Sequence, residues 1–168
     1  GEVVVKASTT IGFLHTGIEK TAEQKKYQQV IPLVERMDYL SAQSNALAYV
    51  SSVEKLLGLT VPDRVQWIRT LIAELQRINS HLVWLGTHAL DIGAMSMIMY
   101  CLREREEVLK IFEMFSGQRM MTSFIRPGGV AQDLPPGALD EIRDFVALMK
   151  KRLPEYADLC NANPIFKA

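Results

Sequence analysis

Cysteine is scarce in this chain. Of 168 residues only Cys101 and Cys160 carry a thiol, and no Cys-x-x-Cys occurs. That excludes a disulfide framework and a cysteine-ligated metal within the chain, so both thiols read as small buried hydrophobes of a reducing compartment. Net charge is lacking too, because 19 acidic and 19 basic residues cancel. The electrostatic footprint of a nucleic-acid binder is therefore missing. A charge near zero does little to hold a chain apart from its neighbours, which suits one component of a complex. Long apolar runs are also absent. The longest, Ile92 to Leu102, has eleven residues, too few to span a bilayer. The first residues alternate in polarity without a continuous apolar core, so no signal peptide reads out. Gly128-Gly129 has no Gly-x-Gly-x-x-Gly or Gly-Lys-Ser/Thr around it, which excludes a phosphate loop. Internal repeats, low-complexity tracts and flexible linkers are lacking as well. The reading is a soluble or peripheral chain, not an integral one.

What is present is ordinary in bulk. Apolar residues make 48% and charged residues 23%, and the length supports a single helical domain over 1–168 with its own core. The organising stretch runs from Pro62 to Gly93. Thr70, Glu74, Arg77, His81, Trp84, His88 and Asp91 follow one another in steps of four and three, the spacing of one helix face. Leu71, Ile72, Leu75, Ile78, Leu82, Val83, Leu85, Ala89 and Leu90 supply the apolar remainder. Such a row is ordinarily a solvated face. This one is chemically unusual: no lysine occurs between Lys55 and Lys110, and the row holds two histidines, a tryptophan and an aspartate. Groups of this kind favour a face turned to a partner.

The other segments fit around it. Glu2 to Thr9 is rich in β-branched residues and predicts a short N-terminal strand, whose pairing partners are expected upstream of Gly1. His15 and Glu19 are neighbours if a helix begins near Thr16. They are then a candidate proton relay, although spacing alone favours a surface ion pair or a cap. Pro32 predicts that any helix over Lys25 to Val34 ends or bends there. Arg36-Met37-Asp38-Tyr39 precedes a helix over Ser41 to Leu57 that Gly58 closes, with Leu40, Leu47, Val50 and Leu56 inward. Tyr39 can donate a hydrogen bond to a ligand oxygen there, and Asp38 serves as readily as an N-cap. Ala94 to Phe115 reads as a helix with methionines as core filler and a solvated charge run, Arg103 to Glu107. Ser123 to Pro136 is a loop, in which Gly128-Gly129 lets the backbone approach something closely, another subunit included. A last helix over Gly137 to Leu153 turns Leu139, Ile142, Val146 and Leu153 inward and stops at Pro154, and Tyr156 to Phe166 adds a short final piece. The whole is mainly α, an antiparallel helical bundle with one strand at its entrance.

Six strings carry the reading further. His15-Thr16-Gly17-Ile18-Glu19-Lys20, Arg36-Met37-Asp38-Tyr39, His81-Leu82 through Thr87-His88-Ala89-Leu90-Asp91-Ile92-Gly93-Ala94, Arg103-Glu104-Arg105-Glu106, Ser116-Gly117-Gln118-Arg119 and Ile125-Arg126-Pro127-Gly128-Gly129-Val130 occur in this order. Together, from Gly12 to Phe166, they resemble the 49-kDa subunit family of proton-pumping NADH-quinone oxidoreductases, the respiratory complex I. The resemblance implies a bundle related to the nickel-iron hydrogenase large subunit, with Arg36-Met37-Asp38-Tyr39 where those relatives have Cys-x-x-Cys. Without thiolates there, no nickel site of cysteine ligands forms.

The resemblance also implies a quinone headgroup site beside the terminal iron-sulfur cluster of a neighbouring subunit. Tyr39 matches the tyrosine that hydrogen-bonds the quinone carbonyl, and Asp91 an acidic residue that links quinone chemistry to proton movement. Arg36 matches an arginine near the cluster, where fixed positive charge raises the potential. Met121 stands where many members have a histidine near the cluster, and Thr16 replaces an arginine common in mitochondrial members, which points to a bacterial source. His15 and Glu19 fall in a family motif without a role that carries over, and His81 and His88 are assigned none. The family's upstream His-Pro-x-x-His-Gly motif and its C-terminal half are not in this sequence, so the chain reads as the central portion of a longer polypeptide. Expected partners are quinone and the other peripheral-arm and membrane-arm subunits, at the cytoplasmic face of a bacterial inner membrane or the matrix side of a mitochondrial one. Two alternatives stand beside this: the large subunit of a hydrogenase-related membrane complex, and a non-catalytic helical scaffold.

Overall fold

The computed structural model describes residues 3–167. Helices α1 (Ile18–Glu23), α2 (Tyr27–Glu35), α3 (Ala42–Leu57), α4 (Asp63–Asp91) and α5 (Ser96–Ser116) come first. Strands β1 (Ile125–Arg126) and β2 (Gly129–Val130) follow, then α6 (Ala138–Asn161) and α7 (Pro164–Lys167). Glycine ends α3 and α5: Gly58 and Gly117 take left-handed φ of 65° and 75°, which side chains with a Cβ resist. The fold is mainly α, as its periodicities indicate.

Helix α4 is the spine. Its inward face carries Ile68, Ile72, Leu75, Leu82 and Ala89, all buried. The turn 92–95 folds α5 back along α4, bringing Met97, Cys101, Val108, Phe112 and Phe115 onto that face. Close approach is possible because position 86 is glycine. A Cβ there would stand 3.1 Å from the Ile98 Cα and 3.3 Å from the Cys101 Cβ. Helix α6 packs against α5 and adds Ile142, Phe145, Met149 and Tyr156 to the same core. A smaller cluster, Ile31, Ala46, Val50 and Ile125, joins α2, α3 and the hairpin β1–β2, in which Ile125 pairs antiparallel with Val130.

Several expectations are corrected. Among the described residues no strand forms in 3–9, and Glu2 lies outside them; Val3 to Val5 are exposed. A lone strand has nothing to pair with, since both strands observed sit in the distant hairpin and satisfy each other. Helix α2 passes through Pro32 and α6 through Pro154. Each proline removes one backbone hydrogen bond, but burial on both sides keeps the helix going: Ile31 and Glu35 flank the first, Met149 and Tyr156 the second. The inward face of α6 is accordingly Ile142, Phe145, Met149 and Tyr156, while Leu139, Val146 and Leu153 are exposed. Leu56 is exposed on α3, and of the α5 methionines only Met97 enters the core. The run Arg103 to Glu107 is not wholly solvated either, because Glu104 is buried.

Candidate functional site

The loop between α2 and α3 carries Arg36, Asp38 and Tyr39, and buried polar groups fix it at both ends. At its start, Glu35 accepts hydrogen bonds from the Ser123 backbone N–H at 2.8 Å and from Ser123 Oγ at 3.0 Å. Just beyond its end, Gln43 Nε2 donates to Thr122 Oγ1 at 2.6 Å and to the Met120 carbonyl at 3.3 Å. Glu35 and Gln43 are both fully buried. Burial pushes the Glu35 carboxyl above its ordinary range, against the Ser123 hydrogen bonds and the Arg36 charge, which act the other way. Gln76, from the middle of α4, donates to the Leu40 carbonyl at 2.6 Å. Asp38 accepts from the Leu40 N–H at 3.0 Å, the capping use its composition favours.

Within this frame Tyr39 points outward, 61% exposed. Its hydroxyl makes no hydrogen bond to the described residues, so it is free to meet a group from outside the chain. The Arg36 guanidinium donates to the Pro32 carbonyl at 2.8 Å and is also exposed. Met121 lies between the two residues that Gln43 binds, and is half-buried. The structure thus brings the Arg36–Tyr39 loop and the Met121 segment together.

Asp91 is elsewhere. It is exposed at the end of α4, fifteen residues beyond Gln76, roughly 22 Å along a helix. Within this chain it is not brought to Tyr39. The α4 row from Thr70 to Asp91 is exposed along most of its length, with Trp84 and His88 stacked at 5.7 Å. His15 and Glu19 are not paired: Gly17 takes a left-handed φ of 65° between them, α1 starts only at Ile18, and no hydrogen bond or ion pair links the two.

The polar groups missed in the sequence are the buried ones. Arg69 and Glu54 form a two-pronged ion pair at 2.7 and 2.9 Å, both buried. Arg69 also donates to the carbonyls of Arg126 and Gly129, and the Gly128 N–H donates to Glu54 at 2.7 Å. The close approach that Gly128-Gly129 permits is therefore to this chain's own α3 and α4, with Gly128 at a left-handed φ of 84°. Hydrogen bonds from Arg69 hold the Glu54 carboxyl below its ordinary range, more than burial raises it. A second cluster ties α5 to α6. Buried Glu104 takes a short hydrogen bond from the Tyr156 hydroxyl and pairs with Arg103 and Arg152. Burial lifts the Tyr156 phenol, helped by its bond to Glu104, and pushes the Cys101 thiol to about 11. One signal was available for all of these: Glu54, Arg69, Gln76 and Glu104 sit at apolar-face positions of their helices, as the α5 series Met97, Cys101, Glu104, Val108 shows.

Among the described residues no three His, Cys, Asp or Glu side chains converge as metal ligands do, and no helix is long and apolar enough to cross a membrane. Fold and site define a mainly helical bundle that holds a polar loop rigidly at its surface. The family model described as "Respiratory-chain NADH dehydrogenase, 49 Kd subunit" matches residues 91–168. Over 166 residues, 99% of the chain, it is 57% identical to one of the NADH-quinone oxidoreductase D subunits of Koribacter versatilis, covering 41% of that protein. It is 55% identical over 166 residues, again 99% of the chain, to a D subunit of the same enzyme from Chloroflexus aurantiacus, covering 40%. The D subunit of a Nocardioides species is 57% identical over 169 residues, with 99% of this chain and 38% of that one covered. Over nearly its whole length the chain is similar to the 49 Kd, or D, subunits of NADH-quinone oxidoreductases, and it spans about two fifths of the length of these curated relatives.

Proposed function

We propose that this chain forms part of the quinone headgroup site of a proton-pumping NADH:quinone oxidoreductase, next to the terminal iron-sulfur cluster of a neighbouring subunit, and couples electron transfer to proton movement. The observation that carries this is Tyr39, a phenol with no hydrogen-bond partner among the described residues, on a loop clamped between buried groups. The redox chemistry delivers two electrons and two protons to the quinone. Tyr39 supplies a hydrogen bond to the quinone carbonyl, and it releases its proton only as negative charge develops on that oxygen, since a phenol is otherwise a reluctant acid. Arg36 places a fixed positive charge beside the cluster, which favours its reduced form. Asp91, some distance along α4, belongs to the proton path, and its side chain is open to residues outside this chain. His15 and Glu19 are exposed at the start of α1 and remain candidates for a relay built with neighbouring subunits.

The assembled enzyme places this chain at the membrane surface, on the cytoplasmic side in bacteria or the matrix side in mitochondria, among peripheral-arm and membrane-arm partners. The chain by itself is expected to have no turnover, because the cluster belongs to a neighbouring subunit. The test is Tyr39→Phe in the assembled enzyme, with cluster reduction by NADH followed alongside quinone turnover. Turnover is expected to fall at least roughly tenfold while the cluster still reduces. Normal turnover would remove the chemistry from this chain.

A further inference from the structure

The two ends of the Arg36–Tyr39 loop are fastened to one short segment, 120–123, by two side chains that never reach solvent. Glu35 spends both carboxylate oxygens on Ser123, and Gln43 spends its amide N–H groups on Thr122 and Met120. Burying a carboxylate and an amide among apolar neighbours is unfavourable unless each is bonded. Here the Glu35 carboxylate and the Gln43 N–H groups are bonded, across 77 to 88 positions of sequence, to three residues of one short segment: Met120, Thr122 and Ser123. The segment they hold is itself strained. Ser123 has φ 44°, and among the described residues it is the one non-glycine at positive φ. Such a backbone persists only where its surroundings over-determine it, and Glu35 binds both the N–H and the hydroxyl of that residue. Tyr39, by contrast, has no hydrogen bond to its hydroxyl among the described residues, so the loop backbone sets where its oxygen stands.

We infer that Glu35 and Gln43 are positioning residues for the quinone step: two buried staples that lock the Tyr39 loop and the Met121 segment into one unit and so fix the phenol relative to the cluster side of the site. This rests on the function proposed above and goes beyond it, by making the precision of Tyr39 depend on residues that touch neither quinone nor cluster. Gln76 of α4 and Asn45 of α3 also bind the loop, but among the described hydrogen bonds only those of Glu35 and Gln43 join its two ends to the segment 120–123.

The experiment is a double-mutant cycle in the assembled enzyme, with Glu35→Gln, Tyr39→Phe and the pair, reading quinone turnover, quinone KM and NADH-driven cluster reduction. Glu35→Gln should assemble, reduce its cluster normally and lose roughly tenfold or more in turnover, as small misplacements of a reacting group do. In the Tyr39→Phe background it should cost little further, because both changes remove one positioned phenol. Effects that multiply, or unaltered turnover in Glu35→Gln, overturn the positioning role while leaving the quinone reading intact. Normal turnover in Tyr39→Phe overturns the quinone reading and this inference with it. Should Glu35→Gln fail to assemble, Ser123→Ala, which keeps the N–H bond and loses only the Oγ one, is put through the same cycle and judged the same way.

Discussion

Arg69 spends its guanidinium on two carboxylate oxygens and two backbone carbonyls, with almost no exposure to water. Removing it leaves Glu54 buried without its countercharge and the β1–β2 turn without its anchor. Arg69→Ala is therefore expected to cost about 3–5 kcal/mol at neutral pH, measured by denaturant unfolding. The pH dependence has a definite sign. The folded-state carboxyl of Glu54 is lowered, so the pair's contribution is complete above the ordinary carboxylate range and is lost as pH falls through the lowered value. The gap between wild type and Arg69→Ala should narrow in acid; a gap that widened would contradict the assignment. None of this was read from sequence, although Arg69 follows Ile68 and precedes Ile72 on the inward face. Composition places arginine outside by default, and only a partner at a fixed spot overrules that default.

At the level of elements, the contact between α4 and α5 turns on Gly86. Alanine there would gain about 1 kcal/mol of helix propensity. Its Cβ would also meet the Ile98 backbone at 3.1 Å, and backbone does not yield as a side-chain tip does. Overpacking of that kind costs about 1–3 kcal/mol, so Gly86→Ala should lower the melting temperature, and Gly86→Val more; a higher melting temperature for the alanine variant would show that the helices can part cheaply. The lengths of α3, α4 and α5 were legible from spacing and terminal glycines, within a residue or two. The courses of α2 and α6 were not. Local rules stop or bend a helix at Pro32 and interrupt one at Pro154, whereas the burial of Glu35 and of Tyr156 beyond them depends on Ser123 and Glu104, far away in sequence.

For the whole molecule, the feature most open to test is the absence of a titrating group at position 121. Met121 sits in the segment stapled to the Tyr39 loop, at the position where the resemblance implies a histidine beside the cluster in many 49-kDa subunits; under the proposed function this has a consequence. A methionine gains and loses no proton, so the cluster potential of the assembled enzyme is expected to depend on pH more weakly than the slope of about 60 mV per unit of a one-electron, one-proton couple. Redox titration at several pH values measures that slope, and a full slope would mean that another group titrates with the cluster. By itself the sequence determined the helical class, the main helices and the resemblance to the 49-kDa subunits, because these rest on local periodicity and on strings of residues in fixed order. The tertiary structure decided which polar residues are interior, that the Tyr39 loop and the Met121 segment are held together, and that Asp91 lies about four turns of α4 beyond Gln76, the residue through which that helix binds the loop. Those are relations between positions up to 88 residues apart, which are set by how the helices pack and leave no trace in the spacing within any one of them.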